Sequence, residues 1–187
     1  MKDPKFTRLY EMAKKELLED ILPFWEKYDV DEENGGFYGV VTREGMPVKG
    51  GTKCLVLNAR LVWTFASAYR ILKDEKYLKL AKRAYDYFCE YFIDKQYGGC
   101  YFMLDCKGNA IDDKKFVYGQ AFAIYALSEY CRATGDTEAR DKAVAIRDLL
   151  EQYAYTPDHP GYIEILARDW SYNPANQGSN INPEPEA

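Results

Sequence analysis

Histidine is almost absent from this chain, since His159 stands alone among 187 residues. Proton-transfer chemistry that relies on two imidazoles near neutral pH therefore cannot come from this sequence alone. His159 sits between Asp158 and Pro160 in a predicted turn, and a loop residue of this kind is typical of the protein surface. We therefore expect His159 to lie at the surface and to take no part in catalysis.

Paired cysteines are also missing. The five cysteines are odd in number and form no C-x-x-C motif, so neither a disulfide framework nor a zinc site is indicated. We expect reduced thiols in or near the core, as is typical of cytosolic proteins, and we expect no metal. These residues are Cys54, Cys89, Cys100, Cys106 and Cys131.

Long apolar runs and an excess of basic charge are the remaining absences. The segment from Met1 to Phe6 contains no apolar leader, and no apolar run approaches about 18 residues, so we expect a cytoplasmic protein without a membrane partner. With 25 basic and 30 acidic residues the net charge is −5, which argues against nucleic acid as a partner. Segment 49–53 is rich in glycine but lacks the spacing of a phosphate-binding loop, so we expect no cofactor.

The chain does contain an internal repeat with a period of about 63 residues. One copy, DEENGGFY, starts at Asp31, and a second copy, DKQYGGCY, starts at Asp94. A degraded third copy, PDHPGY, starts at Pro157. Each copy predicts a helix, a Gly-Gly turn into a short β-hairpin, and a second helix. This is typical of repeat architectures whose units bury their apolar faces against one another.

Apolar periodicity and turn residues place the elements within each repeat. Asp74 and Asp136 are predicted N-caps, and Gly135 is a predicted helix stop. Pro23 should bend the first helix or end its regular part. The predicted helices cover residues 5–28, 53–72, 75–93, 115–134 and 137–153, with hairpins near 37–49 and 99–112 and one more strand at 161–168.

The predicted helices are of two kinds. Helices 75–93 and 137–153 carry one apolar stripe opposite charged residues, whereas 53–72 and 115–134 are apolar almost all round and must be covered on several sides. Alternating half-covered and covered helices predict a two-layer helical ring with an inner and an outer shell. The 17 tyrosines and 9 phenylalanines could fill its core or line a sugar-binding cavity.

Polar residues on the two inner helices are the exceptions to this pattern. Asn58 and Gln120 stand about 62 residues apart at equivalent repeat positions, close to Arg60 and Tyr118. Buried polar groups need partners, since an unpaired one costs roughly 1–3 kcal/mol. Two interpretations stay open. These groups bond to neighbouring backbone and hairpin ends, or they face a central cavity and hold sugar hydroxyls.

The residues around these positions resemble the N-acylglucosamine 2-epimerase family, most closely its cellobiose 2-epimerase branch. The resemblance implies an all-α (α/α)6 toroid that interconverts sugars at C2 through a cis-enediolate, or isomerises an aldose to a ketose on the same intermediate. It implies that Arg60 is the active-site arginine that binds the sugar near the reacting carbons. It further implies that Tyr118 contacts the substrate and that Gln120 lines the pocket, and Asn58 is a further substrate-binding candidate. The matching segments are ILPFW from Ile21, GGFYG from Gly35, LNARLVW from Leu57, KFVYGQAFAIYAL from Lys115, YCRATGD from Tyr130, GYIE from Gly161 and RDW from Arg168.

The match ends at Trp170, whereas barrels of this family have six hairpin units over roughly twice this length. We therefore predict that residues 1–170 form the N-terminal half of a barrel and that the polar segment 171–187 is a disordered tail. Because the family's catalytic histidines lie in the other half, the resemblance implies a chain that holds the sugar-binding part of a site without its acid/base pair. The implied partner is a small sugar such as N-acylglucosamine, cellobiose or mannose.

Two further hypotheses come from the residues themselves. Glycoside hydrolysis also occurs on helical barrels and needs two carboxylates, and several acidic residues lie near the hairpins. Asp31 and Asp94 are repeat-equivalent, however, which favours a structural role in capping loops. The other hypothesis is non-catalytic, a half-barrel that covers its apolar surface by forming a homodimer or by pairing with a complementary half-barrel chain. The remaining acidic candidates are Asp105, Asp112, Asp113, Glu164 and Asp169.

Overall fold

The computed structural model describes residues 4–158 and 160–176. His159 and residues 177–187 lie outside the described residues, so the predictions for this histidine and for most of the polar tail stay predictions. The described part of the chain is mostly helical, and no helix in it is long and apolar enough to cross a membrane.

The first predicted helix forms over nearly its full range but is interrupted once. It comprises α1, Pro4–Glu16, a π-helical turn at Leu17–Ile21, and α2, Leu22–Tyr28. Pro23 has no N–H with which to continue an α-helical ladder, and the wider turn before it ends with the Leu22 N–H bonded to the Leu17 carbonyl. The irregularity expected near the proline therefore takes the form of a π turn.

Four further helices follow in two layers. The inner helices are α3, Leu55–Leu72, and α5, Val117–Thr134, which pack against each other. The outer helices are α4, Glu75–Tyr87, extended by a π turn at Phe88–Phe92, and α6, Thr137–Tyr153. Each outer helix packs on the inner helix before it, α4 on α3 and α6 on α5. The predicted inner and outer layers are confirmed, but the inner helices are not covered all round, because Arg60 on α3 and Tyr118 and Tyr125 on α5 are exposed.

Side-chain caps and left-handed residues set the boundaries of these helices. The Asp74 carboxylate accepts the Lys76 N–H at the start of α4, and Asp136 caps α6 in the same way. Lys73 and Gly135 end α3 and α5 with φ of 59° and 80°. The predicted caps and the predicted stop at Gly135 are confirmed. Each connection from an inner to an outer helix consists of a left-handed residue followed by an aspartate N-cap.

Short strands join the start of each inner helix to the hairpin of the next repeat. β1, Lys53–Cys54, pairs antiparallel with β2, Met103–Leu104, which in turn pairs with β3, Ala110–Asp112. One repeat later, β4, Lys115–Phe116, pairs antiparallel with β7, Ile165–Leu166. The repeated pairing aligns the starts of the two inner helices at one end of the layer.

The first predicted hairpin forms with sparse pairing. The Thr42 N–H donates to the Met46 carbonyl at 2.8 Å. The Val48 N–H donates to the Val40 carbonyl at 2.9 Å. Gly45, at the turn between them, has a φ of 79°, a left-handed conformation that favours glycine.

The predicted single strand over residues 161–168 is wrong. Its first part is β6, Gly161–Tyr162, which pairs with β5, Tyr155–Thr156, inside the third repeat. Its second part is β7, which pairs with β4 instead. The chain changes partner between the two parts, since the Ile163 N–H still donates to the Ala154 carbonyl, whereas the Glu164 carbonyl accepts the Val117 N–H at the start of α5.

Candidate functional site

A buried ion pair holds the first Gly-Gly turn against the start of an inner helix. Asp31 accepts the N–H groups of Glu33 and Asn34 through Oδ1. Its Oδ2 accepts the Lys53 Nζ at 2.9 Å, and Lys53 also donates to the Gly35 carbonyl at 2.8 Å. Both charged side chains are almost completely buried. The pair therefore ties the turn to the strand that leads into α3.

The second repeat contains the same arrangement. Asp94 accepts the Gln96 N–H through Oδ1 at 3.0 Å and the Lys115 Nζ through Oδ2 at 2.9 Å. Arg168 adds a second cation, with its Nε 2.9 Å from Asp94 Oδ2. Burial opposes ionisation, but the hydrogen bonds from Arg168, Lys115 and Gln96 outweigh it and hold the pKa of Asp94 well below its usual range. The carboxylate therefore stays charged and locks the second turn.

Five of the seven acidic candidates near the hairpins have structural partners. The predicted capping role of Asp31 and Asp94 is confirmed, because each caps a turn and pairs with a buried lysine. Asp105 and Asp169 each accept a backbone N–H two residues on, within their own turns. Asp112 pairs with a lysine two residues on. These contacts give no support to a hydrolase that works with two carboxylates.

The two equivalent amides of the inner helices bond to backbone. Gln120 is fully buried, and its Oε1 accepts the Cys100 N–H at 2.7 Å while its Nε2 donates to the Cys100 carbonyl at 2.9 Å. The Asn58 Nδ2 donates to the Cys54 carbonyl at 2.9 Å. These contacts support the interpretation in which the amides hold backbone, and substrate binding by Asn58 and Gln120 stays a prediction.

One face of the inner helix pair is open to solvent. Arg60 is exposed on α3, and Tyr118 and Tyr125 are 47% and 43% exposed on α5. The helical repeat turns these positions away from the buried residues of the same helices. We call the surface formed by Arg60, Trp63, Tyr118, Phe122 and Tyr125 the open face.

Arg60 is an unpaired cation on the open face. Its Cζ lies 5.0 Å from the centroid of the Phe122 ring, which is a cation–π contact. Within residues 4–158 and 160–176, no ion pair or hydrogen bond occupies its guanidinium. The N–H donors of Arg60 are therefore available to a ligand that reaches the open face.

Tyr118 lies at the hairpin end of the open face, inside an aromatic cluster. Its ring meets Phe102 and Phe116 edge-on, with centroids 5.8 Å and 6.2 Å away, and those two rings stack at 3.9 Å. Partial burial raises the pKa of Tyr118, so its hydroxyl stays protonated at neutral pH and can donate a hydrogen bond. Aromatic faces of this kind can stack on the C–H surface of a sugar ring.

Sequence reasoning missed three aromatic residues of the open face, because it treated Trp63, Phe122 and Tyr125 as covered apolar positions. Trp63 and Tyr125 stack with centroids 5.0 Å apart and ring planes at 12°. The Phe122 ring meets Tyr125 edge-on at 6.2 Å and 88°. The open face therefore continues from Arg60 along both helices as an aromatic surface.

The spacing of the sequence repeat could have predicted that these residues lie together. Ser67 on α3 donates to Glu129 on α5, 62 residues later, at 2.9 Å. The cation–π pair and the stacked pair on the open face have the same sequence spacing. Since three contacts of one spacing follow each other along the helices, α3 and α5 run parallel with equivalent residues side by side. The period therefore predicts which residues meet across the open face.

The open face offers aromatic rings for stacking and one positive charge. Within the described residues, no three histidine, cysteine or acidic side chains come together in a way that could hold a metal ion. The five cysteines are free, with Cys100 buried and the others half-buried, as expected of reduced thiols in or near the core. The open face suits a neutral polyol ring on which one oxygen develops negative charge.

Known proteins share this sequence and arrangement. A sequence model of the N-acylglucosamine 2-epimerase family matches residues 36–182. Cellobiose 2-epimerase from Bacteroides fragilis is 42% identical over 163 residues, which are 87% of this chain and 42% of that protein. The solved structure of cellobiose 2-epimerase from Bacillus thermoamylovorans is similar with a TM-score of 0.86 at 41% identity, over 90% of this chain and 43% of that chain.

The likeness in fold extends to hydrolases. A family 76 glycoside hydrolase from a bovine Bacteroides thetaiotaomicron strain has a TM-score of 0.67 at 21% identity, over 84% of this chain and 32% of that chain, which shows the fold alone.

The chain spans about two fifths of the length of the curated relatives it matches. The predicted fold, part of an all-α (α/α)6 toroid with short hairpins at one end, is confirmed. The chain belongs to the N-acylglucosamine 2-epimerase family.

Proposed function

We propose that this chain provides the sugar-binding part of a site that epimerises or isomerises a reducing sugar at C2. The observation that carries the proposal is the unpaired guanidinium of Arg60 on an aromatic open face. Removal of the proton next to the sugar carbonyl makes an enediolate, whose negative charge needs stabilisation. An arginine with free N–H donors can supply that stabilisation beside the two reacting oxygens.

The other residues have supporting roles in this proposal. Tyr118 contacts the sugar at the hairpin end of the open face, where its exposed hydroxyl and the rings around it are within reach of a ligand. Gln120 and Asn58 fix the backbone at the rim, because their amides already bond to Cys100 and Cys54. No cofactor is needed for a proton transfer of this kind.

Proton transfer is the part of the reaction that the open face does not supply. Epimerisation needs one group that removes the C2 proton and another that returns a proton to the opposite face. The residues that the structure describes include no histidine, and Asp31, Asp94 and Asp105 of the hairpins are engaged in turns and ion pairs. We propose that the acid/base pair belongs to a part of the barrel beyond the described residues, in the same polypeptide or in a complementary chain. Residues 4–176 alone should then bind sugar without turnover.

Sugar binding is tested by titrating the purified chain with cellobiose, mannose and N-acetylglucosamine. The informative comparison is Arg60→Gln against Arg43→Gln, since Arg43 is also exposed but lies in the turn of the first hairpin. Hydrogen bonds to a charged group contribute about 1.5–3 kcal/mol, so we expect Arg60→Gln to weaken binding roughly 10- to 100-fold and Arg43→Gln to leave it unchanged. Equal affinities in the two variants would contradict the role of Arg60.

Turnover is a separate readout. Incubation of the purified chain with the same sugars, followed by chromatography of the products, should show no C2 epimer and no ketose. Epimerisation that disappears in Arg60→Ala would keep the role of Arg60 but would overturn the proposal that the acid/base pair lies elsewhere.

A further inference from the structure

We propose that Phe122 is a positioning residue for Arg60, whose ring fixes the direction in which the guanidinium points across the open face. The inference rests on the proposed function, because a fixed arginine matters for catalysis only if it meets a sugar. Phe122 itself need not touch the ligand, and its effect would pass through Arg60.

Arg60 depends on this ring for its orientation. An arginine side chain has several rotatable bonds, and an exposed one samples many rotamers unless a contact restricts it. Among the described residues no ion pair or hydrogen bond fixes Arg60, so the Phe122 ring, 5.0 Å from its Cζ, is its anchor. A cation held over a ring face keeps its in-plane N–H donors free, whereas a salt bridge would occupy them.

Phe122 is itself held in place by two further rings. Tyr125, one turn further along α5, meets the Phe122 ring edge-on at 6.2 Å. Tyr125 is in turn stacked on Trp63 of α3 at 5.0 Å. The three rings therefore link the two inner helices below Arg60, and the anchor has little freedom to move.

The parallel register of α3 and α5 brings the pair together. Arg60 and Phe122 occupy equivalent positions of successive repeats, as do the hydrogen-bonded Ser67 and Glu129. The repeat therefore places a cation at one position and an aromatic ring at its neighbour. Leucine at position 122 would preserve the apolar character of the helix but would remove the ring that the cation contacts.

The contact can be tested without any sugar. In the ¹⁵N-labelled full chain, the heteronuclear NOE of the Arg60 Nε–H reports how rigid the guanidinium is, and the signal is assigned by its loss in Arg60→Gln. We expect a high value in the wild type and in Phe122→Tyr, and a value as low as that of exposed Arg43 in Phe122→Leu. A low value in the wild type, or an unchanged value in Phe122→Leu, would overturn the proposal.

The effect on binding is tested by a double-mutant cycle with cellobiose. We expect Phe122→Leu to weaken binding about two- to fivefold in the wild-type background, Phe122→Tyr to retain it, and Phe122→Leu to have no further effect when Arg60 is already glutamine. Tyr155→Leu removes an exposed aromatic ring on β5 and should change nothing. Equal weakening by Phe122→Leu in both backgrounds would show a direct or purely structural role and overturn the proposal. If the wild-type chain binds no sugar, the proposed function fails, whereas the NOE comparison still decides the positioning.

Discussion

The Lys115 Nζ lies 2.9 Å from Asp94 Oδ2 with both side chains fully buried, and Lys53 and Asp31 form the equivalent pair of the first repeat at the same distance. In both repeats a buried lysine–aspartate pair therefore joins the Gly-Gly turn to the start of an inner helix. Removal of two charges from water is costly, and the pair offsets that cost only while both members are present. The open face depends on these pairs, because they fix the starts of the helices that carry it.

Lys115→Met should destabilise the fold by about 3–5 kcal/mol, because it leaves Asp94 buried without one of its two counter-charges. Arg168 also contacts Asp94 and should keep the loss toward the lower end of that range. The measurement is the free energy of unfolding in urea, with Lys114→Met as the control because Lys114 is half-exposed. A loss no larger than that of the control would show that the buried pair is dispensable.

Asp29, at the end of α2, is a buried carboxyl whose Oδ2 has no hydrogen-bond partner among the described residues. Burial raises its pKa to about 7, and Lys53 nearby opposes the shift only in part. The fold therefore prefers the neutral carboxyl. The stability that this preference contributes is complete below about pH 4 and is lost as the pH rises through about 7.

Asp29→Asn should remove this pH dependence. We expect the free energy of unfolding to rise by about 1–3 kcal/mol at pH 8, where the wild type buries a charge, and to change little at pH 4, where the carboxyl is neutral in the folded state. Urea unfolding at the two pH values is the measurement, and exposed Asp20→Asn is the control. An equal effect of Asp29→Asn at both pH values would mean that the carboxyl does not titrate in this range.

Gly99 tests the close packing of the second turn. Its φ is +65°, and a Cβ there would lie 2.5 Å from the Trp170 ring and 3.0 Å from Gln120 Oε1. Gly99→Ala should therefore destabilise the fold by about 2–4 kcal/mol through backbone strain and overlap together. Gly135→Ala, with a φ of +80° and open space around it, should cost only about 1 kcal/mol.

Gly50→Ala is the matched control for both glycine variants, because a Cβ there would meet nothing within 4 Å and its φ is not positive. Thermal unfolding of the three variants should rank Gly50→Ala as the most stable and Gly99→Ala as the least. Equal losses of stability in Gly99→Ala and Gly135→Ala would show that Trp170 and Gln120 do not pack closely against Gly99.

Gln120→Leu separates a structural role from a substrate contact. Loss of both bonds to the Cys100 backbone should destabilise the fold by about 1–3 kcal/mol, whereas exposed Gln152→Leu should have little effect. Unfolding free energy and cellobiose affinity are measured on the same variants. A Gln120→Leu variant with unchanged stability and lost sugar binding would show that the amide serves the ligand rather than the backbone.

Helix boundaries and alternation could be predicted from the sequence because they depend on local spacing. Asp74 and Gly135 act on backbone groups within a few residues, and the apolar pattern distinguishes the inner from the outer helices. The strand at 161–168 could not be predicted, since its two short parts owe their structure to different partners, one of them the distant β4. In the candidate site, Arg60 stood out as a charge on an apolar helix. Phe122 did not stand out, because the residue type alone does not distinguish a buried aromatic ring from one on an exposed surface.

The sugar site is tested most directly by following the Arg60 Nε–H signal while a sugar is added to the ¹⁵N-labelled chain. Saturating cellobiose or mannose should shift this signal and leave that of Arg43 in place, because the guanidinium on the open face meets the sugar. A sugar that binds and shifts other residues while the Arg60 signal stays unmoved would contradict the claim that the open face is the sugar site.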